Sequence, residues 1–304
     1  MDINYELYKV FYYVASTLSF SEASKKLFIS QSAVSQSIKS LEKKLGQTLF
    51  IRSTKKVSLT PEGEILLRHV EPALHMIHRG ESQLLDANST GGQIRIGASD
   101  TICRYFLVPY LKQLHEEFPQ AHIKVTNATS IGCVELLESG QVDLIVVNLP
   151  NPYLRNISNV QEIYTFRDVF VANASFKELK GRKLSLKELS DYPILMLNKN
   201  STTSEFLHSI FQQEQLDLIP EIELSSNDLL IDLAAIGLGI AFVPDYCIPK
   251  DSKDLFIVET TTKVPTRQLA VAYNSQIPIS KSAQSFLNHL LNLPPTDSCG
   301  QSST

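Results

Sequence analysis

SQSAVSQSIKSLEKKLG, residues 30–46, decides how the rest of this chain is read. Val34, Ile38, Leu41 and Leu45 recur at spacings of four, three and four, which is one stripe of a helix. Gln31, Ser32, Ser35, Gln36, Lys39 and Lys43 fall off that stripe and carry hydrogen-bonding or positive groups. Ser30 suits the N-cap, where its hydroxyl accepts from a free amide of the first turn, and Gly46 suits the helix end. A helix with a Gln/Ser/Lys outer face fits base edges and phosphates in a major groove. Taken alone, such a helix is more often an ordinary amphipathic one with a solvated face, so the flanking sequence has to decide.

Upstream, Leu7, Val10, Phe11 and Val14 form another helical stripe, and FSEASKKLF (20–28) supplies Ala23 and Leu27 where two helices cross closely. Downstream, TLFIRSTKKVSLT (48–60) alternates strand formers around the basic tip of Arg52, Lys55 and Lys56, a β-hairpin or wing. Charge agrees. Residues 1–60 hold 9 Lys+Arg against 4 Asp+Glu, a net +5, while the remainder carries −9, so the overall −4 hides a basic module on an acidic body. That asymmetry fits phosphate binding by one end of the chain.

The spaced elements ASKKL (23–27), SQSAVS (30–35), LEKKLG (41–46), LFIR (49–52) and LTPEG (59–63) resemble the N-terminal part of LysR-type transcriptional regulators, and the similarity extends to about Leu291. The resemblance implies a winged helix-turn-helix DNA-binding domain over 1–60 and a linker helix that pairs two protomers over 61–92. It also implies a two-lobed α/β effector-binding domain over 93–292, like that of periplasmic solute-binding proteins. In that frame lobe I is discontinuous, 93–165 plus 266–292, lobe II spans 166–265, and 293–304 is a disordered tail. By position, base-reading and phosphate-gripping roles carry onto Gln31, Ser32, Ser35, Gln36, Lys39 and Arg52, with Lys55 and Lys56 at the wing tip. Arg52 is the best suited to phosphate, because its donors form a fixed fork. Ser32 stands where the family commonly has proline, and Gln36 where it commonly has arginine.

Pro61 to about Asn88 reads as one long helix, opened by proline at the first helical position. Leu66, Val70, Ala73, Ile77 and Leu84 form a near-heptad seam that calls for a partner helix. Pro72 removes one backbone bond from the interior, and the expectation is a kink or break there. NSTGG (88–92) reads as a hinge. The seam argues for pairing; the resemblance extends this to a tetramer built from dimers.

Beyond the hinge, strands alternate with helices. QIRIGAS (93–99), HIKVTNATS (122–130) and VDLIVVN (142–148) are candidate parallel strands. DVFVANA (168–174), YPILMLN (192–198), EIELSS (221–226) and GIAFVP (239–244) form a second set, and RQLAVAYN (267–274) comes last. Helices are expected over 106–117, 132–140, 203–215, 227–235 and 281–291. Such alternation means doubly wound sheet, here as two similar lobes. The resemblance adds a crossing between lobes near Phe166 and a return near Val264.

In open α/β sheets ligands sit at the carboxyl ends of strands, where helix N-termini gather. That rule selects Ser99, Asp100, Thr101, Thr129, Ser130 and Asn148 after the first strands, and Asn198, Ser201, Thr202 and Thr203 in the other lobe. The family's effector contacts carry onto Ser99, Thr101, Thr129, Ser130, Ser201 and Thr202. Each residue alone reads as an ordinary N-cap; as a converging set they read as a polar pocket for a small anion such as a carboxylate or sulfate. Asp100 would repel an anion unless it caps, meets a cationic ligand group or points away, and Arg104 lies one turn on. A non-anionic or thiol-redox signal is the alternative, since Cys103 and Cys133 fall near these loops; as buried thiols they read as small hydrophobes.

Catalytic signatures are absent from the sequence. There is no Gly-rich phosphate loop, no H-E-x-x-H and no G-x-S-x-G. His75 and His78, three apart, suggest solvated or interhelical residues before a metal pair. No cofactor is implied. Cys103, Cys133, Cys247 and Cys299 are scattered, as reduced thiols in a cytoplasm would be. Neither a signal peptide nor a run of membrane-spanning length is present. The expectation is therefore a cytoplasmic, effector-responsive DNA-binding regulator rather than an enzyme; a solute-binding protein or enzyme whose leading helices only dimerise is the competing class.

Overall fold

The computed structural model describes residues 3–52, 56–85, 92–249, 255–275 and 277–292. Lys55, most of the expected hinge, the tail from 293 and Cys299 lie outside the described residues. The chain divides into two compact units, the first ending its main run at Leu85.

The first unit packs α1 (Tyr5–Thr17), α2 (Phe20–Leu27) and α3 (Gln31–Leu45) around Phe11, Val14, Ala23, Val34, Ile38 and Leu41. Each helix begins on a side-chain cap: Asn4, Ser19 and Ser30 accept from Glu6, Glu22 and Ala33 amides. Between α2 and α3 the chain turns within Phe28–Ser30, with Phe28 left-handed (φ 55°) and its N–H on the carbonyls of Ser24 and Lys25. β1 (Phe50–Arg52) and β2 (Val57–Leu59) then pair antiparallel, Phe50 opposite Leu59 and Arg52 opposite Val57. Glu42 on α3 fixes the entry to this wing by accepting from the Leu49 and Phe50 amides at 2.8 and 3.3 Å.

Helix α4 (Pro61–Leu85) starts on Thr60, whose hydroxyl accepts from the Gly63 amide at 3.0 Å and donates to the Thr48 carbonyl at 2.7 Å. Gly63 is required by packing: a Cβ there would stand 2.3 Å from the Leu49 carbonyl oxygen. Two expectations are revised. Of the kink or break expected at Pro72, the break does not occur, since Pro72 lies inside a continuous helical run; the turns on either side are anchored where Val70 and Leu74 bury in the α1–α3 core. The predicted seam also splits. Val70 faces the unit's own core with Leu66 packed against it, whereas Ile77 and Leu84 are exposed alongside Ile65 and Met76.

The second unit is built on a ten-stranded sheet in which two parallel sets of strands flank a central antiparallel pair. In its first lobe β3 (Gln93–Ala98), β4 (His122–Asn127) and β5 (Leu144–Leu149) are parallel. α6 (Val108–Glu117) and α11 (Lys281–Leu291) cover one face, and α7 (Ser130–Glu138) the other. In its second lobe β8 (Ile194–Leu197), β9 (Ile222–Leu224) and β10 (Ile240–Pro244) are parallel, with α8 (Leu186–Leu189) and α9 (Thr202–Gln213) on one face and α10 (Asn227–Ala235) on the other. Short β7 (Lys183–Leu184) pairs β11 (Leu255–Thr260).

β6 (Asn159–Asn173) runs through both lobes: it pairs antiparallel with β12 (Thr266–Tyr273) as far as Arg167 and with β10 from Asp168 onward. Alternation of strand and helix does not reveal the first half of β6, because NVQEIYTFR has no flanking α-helix of its own. The antiparallel insertion of β12 and β6 between two parallel sets likewise departs from a purely parallel winding. The helix expected from Phe106 begins earlier, at α5 (Asp100–Ile102), where Ser99 accepts from the Ile102 amide, and continues through a π-helical turn (Cys103–Leu107) into α6.

Candidate nucleic-acid interface and ligand cleft

On α3 the apolar stripe is buried and the opposite face is open: Gln31, Ser32, Gln36 and Lys39 are exposed, and Ser35 is half-buried. The Ser32 hydroxyl lies 2.9 Å from that of the Ser30 cap. Arg52 reaches across from the wing, donating to the Ser35 hydroxyl at 3.2 Å and approaching Glu42 at 3.7 Å. Its guanidinium also lies over the Phe20 ring, 4.4 Å from the centroid. The fork is therefore oriented by three neighbours on α2 and α3, and it carries a structural role beside any phosphate contact. Lys56 is exposed at the wing.

In the second unit, the carboxyl ends of both parallel strand sets face one cavity of about 290 Å³. All the residues selected from sequence line it: Ser99, Asp100, Thr101, Thr129, Ser130, Asn148, Asn198, Ser201, Thr202 and Thr203. Sequence reasoning missed Asn227 and Tyr246, which line it too. Asn227 opens α10 after a Ser-Ser pair, the same strand-to-helix signal used elsewhere, and could have been found by it. Tyr246 follows β10 without opening a long helix and gave no such signal.

Four helix starts converge here, each capped: Ser99, Thr129, Ser201 and Ser226 accept from the amides of Ile102, Gly132, Ser204 and Leu229. The hydroxyls one or two residues further on are committed as acceptors to protein N–H groups. Thr101 Oγ1 accepts from Asn227 Nδ2 at 3.0 Å, Ser130 Oγ from the Asn148 amide at 3.0 Å, and Thr202 Oγ1 from Arg267 Nη2 at 3.3 Å. Each such hydroxyl retains its own proton to donate. No lysine, arginine or histidine lines the cavity among the described residues.

Beneath the α9 start lies Arg267, a fully buried arginine at the head of an apolar strand. It donates to Asp168 at 2.8 Å, to Thr203 at 3.0 Å and, through Nε, to the Leu149 carbonyl at 2.9 Å. The Phe206 and Phe166 rings lie 4.8 and 5.5 Å from the guanidinium carbon. Burial pushes the Asp168 carboxyl up and the guanidinium opposes it. At the rim, Tyr105 donates to Asp228, Arg104 approaches Asp228 at 3.5 Å, and Tyr153 donates to Glu205 at 3.2 Å.

Burial raises the Cys103 thiol to about 11 and Cys133 to about 12, and pushes Cys247 up as well. Among the described residues no group of metal-ligating side chains is assembled, and no helix is long and apolar enough to cross a membrane.

Residues 5–64 match the family profile of bacterial regulatory helix-turn-helix proteins of the lysR family, and residues 87–294 match that of the LysR substrate binding domain. A probable RuBisCO transcriptional regulator of Phaeodactylum tricornutum is 29% identical over 289 residues, covering 92% of this chain and 94% of that one. The HTH-type transcriptional regulator CrgA of Neisseria meningitidis is 26% identical, covering 99% and 100%. Among solved structures, a full-length OxyR variant from Pseudomonas aeruginosa superposes with a TM-score of 0.70 at 20% identity, covering 96% of each chain. Full-length CbnR in complex with its target DNA gives 0.65 at 17% identity, covering 95% of this chain and 99% of that one. With both family profiles matched in order and together spanning most of its length, the chain belongs to the LysR family of helix-turn-helix transcriptional regulators.

Proposed function

We propose that this regulator reads duplex DNA through the exposed face of α3, aided by the wing, and answers a small carboxylate-bearing effector held between the two lobes. Gln31, Ser32, Ser35 and Gln36 serve as base-edge donors and acceptors, and Lys39, Arg52, Lys55 and Lys56 as phosphate contacts. A second copy pairs along α4, whose Ile65, Met76, Ile77 and Leu84 leave apolar surface uncovered; tetramers are built from such pairs. The observation that carries the effector reading is the polarity of the cavity. Its hydroxyls already accept from protein N–H groups, and the residues of four capped helix starts line the same space. A group that only accepts hydrogen bonds, such as a carboxylate, suits a wall that mainly donates.

Control then follows from linkage. An effector that binds one degree of lobe closure better than another shifts DNA occupancy by the same differential free energy, about 1–3 kcal/mol in typical cases. The test is binding of the full chain to duplex from its own upstream region across a salt series. The expected log–log slope is about −0.9 per phosphate neutralised, with the affinity changing when a stabilising carboxylate is added. A salt-independent affinity, or none in dilute buffer, overturns the DNA reading. An affinity indifferent to every carboxylate that raises Tm overturns the effector reading.

A further inference from the structure

The same cavity holds acceptors that a plain anion leaves unused. Asn227 is 6% exposed, and its Nδ2 is spent on Thr101 while its Oδ1 is buried without a partner. Asn148 Oδ1, at the end of β5, is buried and unpartnered in the same way. Leaving such a buried acceptor unmet is unfavourable. Among the described residues Asp100 is the only acidic one that lines the cavity; it is exposed and forms no ion pair, and the nearby cation Arg104 approaches Asp228 at 3.5 Å. Asp100 alone would read as an ordinary acid in a first helical turn. The two orphaned amide oxygens set this wall apart from a set of simple caps.

Resting on the reading of the cleft as the effector site, we infer that its ligand is a zwitterion of the amino-acid class, with its carboxylate on the hydroxyl and amide donors and its ammonium on Asn148, Asn227 and Asp100. A bare carboxylate meets neither amide oxygen and sets like charges together. A hydroxy acid brings one donor and leaves the Asp100 charge uncompensated. An ammonium brings three donors and a positive charge, which matches the three acceptors without partners. The cavity, about 290 Å³, lies at the small end of ligand pockets, so one small metabolite fills it.

The experiment uses the full chain and three matched probe series: the standard L-amino acids, their 2-hydroxy acids and their deaminated carboxylates. Binding is read by thermal shift and then by calorimetry. At least one amino acid is expected to raise Tm and to bind about tenfold or more tighter than its hydroxy and deaminated counterparts, a difference of roughly 1.4 kcal/mol. Asp100→Asn, a change at an exposed position, is expected to weaken that amino acid by a similar factor and to leave the deaminated carboxylate unchanged or tighter. Equal or tighter binding of the hydroxy acid or the deaminated carboxylate refutes the zwitterion while the anion-receiving cleft stands. An amino-acid affinity untouched by Asp100→Asn refutes the placement of the ammonium. Silence from all three series overturns both readings.

Discussion

Arg267→Met tests the centre of the effector domain. The guanidinium and the Asp168 carboxylate are both fully buried and 2.8 Å apart, and the same side chain serves Leu149, Thr202 and Thr203. Removing one member of a buried pair strands the other's charge and costs roughly 3–5 kcal/mol. The lost hydrogen bonds are part of that figure and are not added to it. For a domain of this size each kcal/mol moves Tm by roughly 2–4 °C, so a drop of about 6–20 °C is expected. With no tryptophan and 11 tyrosines in the chain, urea unfolding followed by tyrosine fluorescence is a suitable assay. The pH dependence has a definite sign. Burial already pushes the Asp168 carboxyl up, and loss of Arg267 raises it further, so the folded variant holds a proton that the unfolded chain releases near pH 4. The deficit relative to the parent is therefore full at pH above the folded pKa and shrinks as pH falls toward that of the unfolded group. Asp168→Leu added to Arg267→Met is expected to recover most of the loss, because an apolar pair of similar volume avoids the stranded charge. A deficit below about 1 kcal/mol at neutral pH, or a double variant worse than the single one, refutes this account.

Three further outcomes are expected. Lys39→Ala lowers the magnitude of the salt slope of DNA binding by about 0.9; an unchanged slope removes Lys39 from the phosphate contacts. Gly63→Ala forces a Cβ to 2.3 Å from the Leu49 carbonyl oxygen and 2.9 Å from Leu59 Cδ2. It destabilises the N-terminal domain by roughly 1–3 kcal/mol despite a helix-propensity gain of about 1 kcal/mol, and a rise in Tm contradicts the packing argument. In a Cys299→Ser background the native chain resists iodoacetamide at mildly alkaline pH. Cys103, raised from 9.0 to about 11, holds about a hundredfold less thiolate there, so alkylation at the rate of a free thiol, as a redox-sensing cysteine would show, refutes the burial argument.

What the sequence showed and what it hid divide along physical lines. Val34, Ile38 and Leu41 repeat with the helical period, and their burial follows from it. Ser99, Thr129 and Ser201 could be read because a hydroxyl between an apolar run and a helix is a local signal. Ser226, just before Asn227, carries the same signal. Arg267 was different. An arginine opening RQLAVAYN looks like an exposed strand end, and only the pairing of β12 between β5 and β6 puts it under α9, against an aspartate 99 residues earlier in the chain. The continuity of the helix through Pro72 has the converse reason: the proline penalty is local, whereas the packing of Val70 and Leu74 on α1–α3 on either side of it is tertiary.

The distribution of bond strengths within the effector domain explains how a small ligand could govern it. The buried Arg267–Asp168 pair sits where β6 changes partner from β12 to β10, and its contacts to Leu149, Thr202 and Thr203 draw on both lobes. Breaking it costs too much for it to serve as the moving part. Across the mouth, by contrast, the lobes meet through Thr101–Asn227, Tyr105–Asp228 and Tyr153–Glu205. The Tyr105 phenol, raised to about 12 by burial and by Asp228, stays a donor at any physiological pH. Each such bond is worth about 0.5–1.5 kcal/mol net, so together they supply a few kcal/mol. That is the same size as a typical coupling energy of about 1–3 kcal/mol. On the function proposed above, a ligand that engages Thr101 and Asn227 acts on the contact between them, and this modest differential is of the size needed to shift the lobes while the buried pair stays intact.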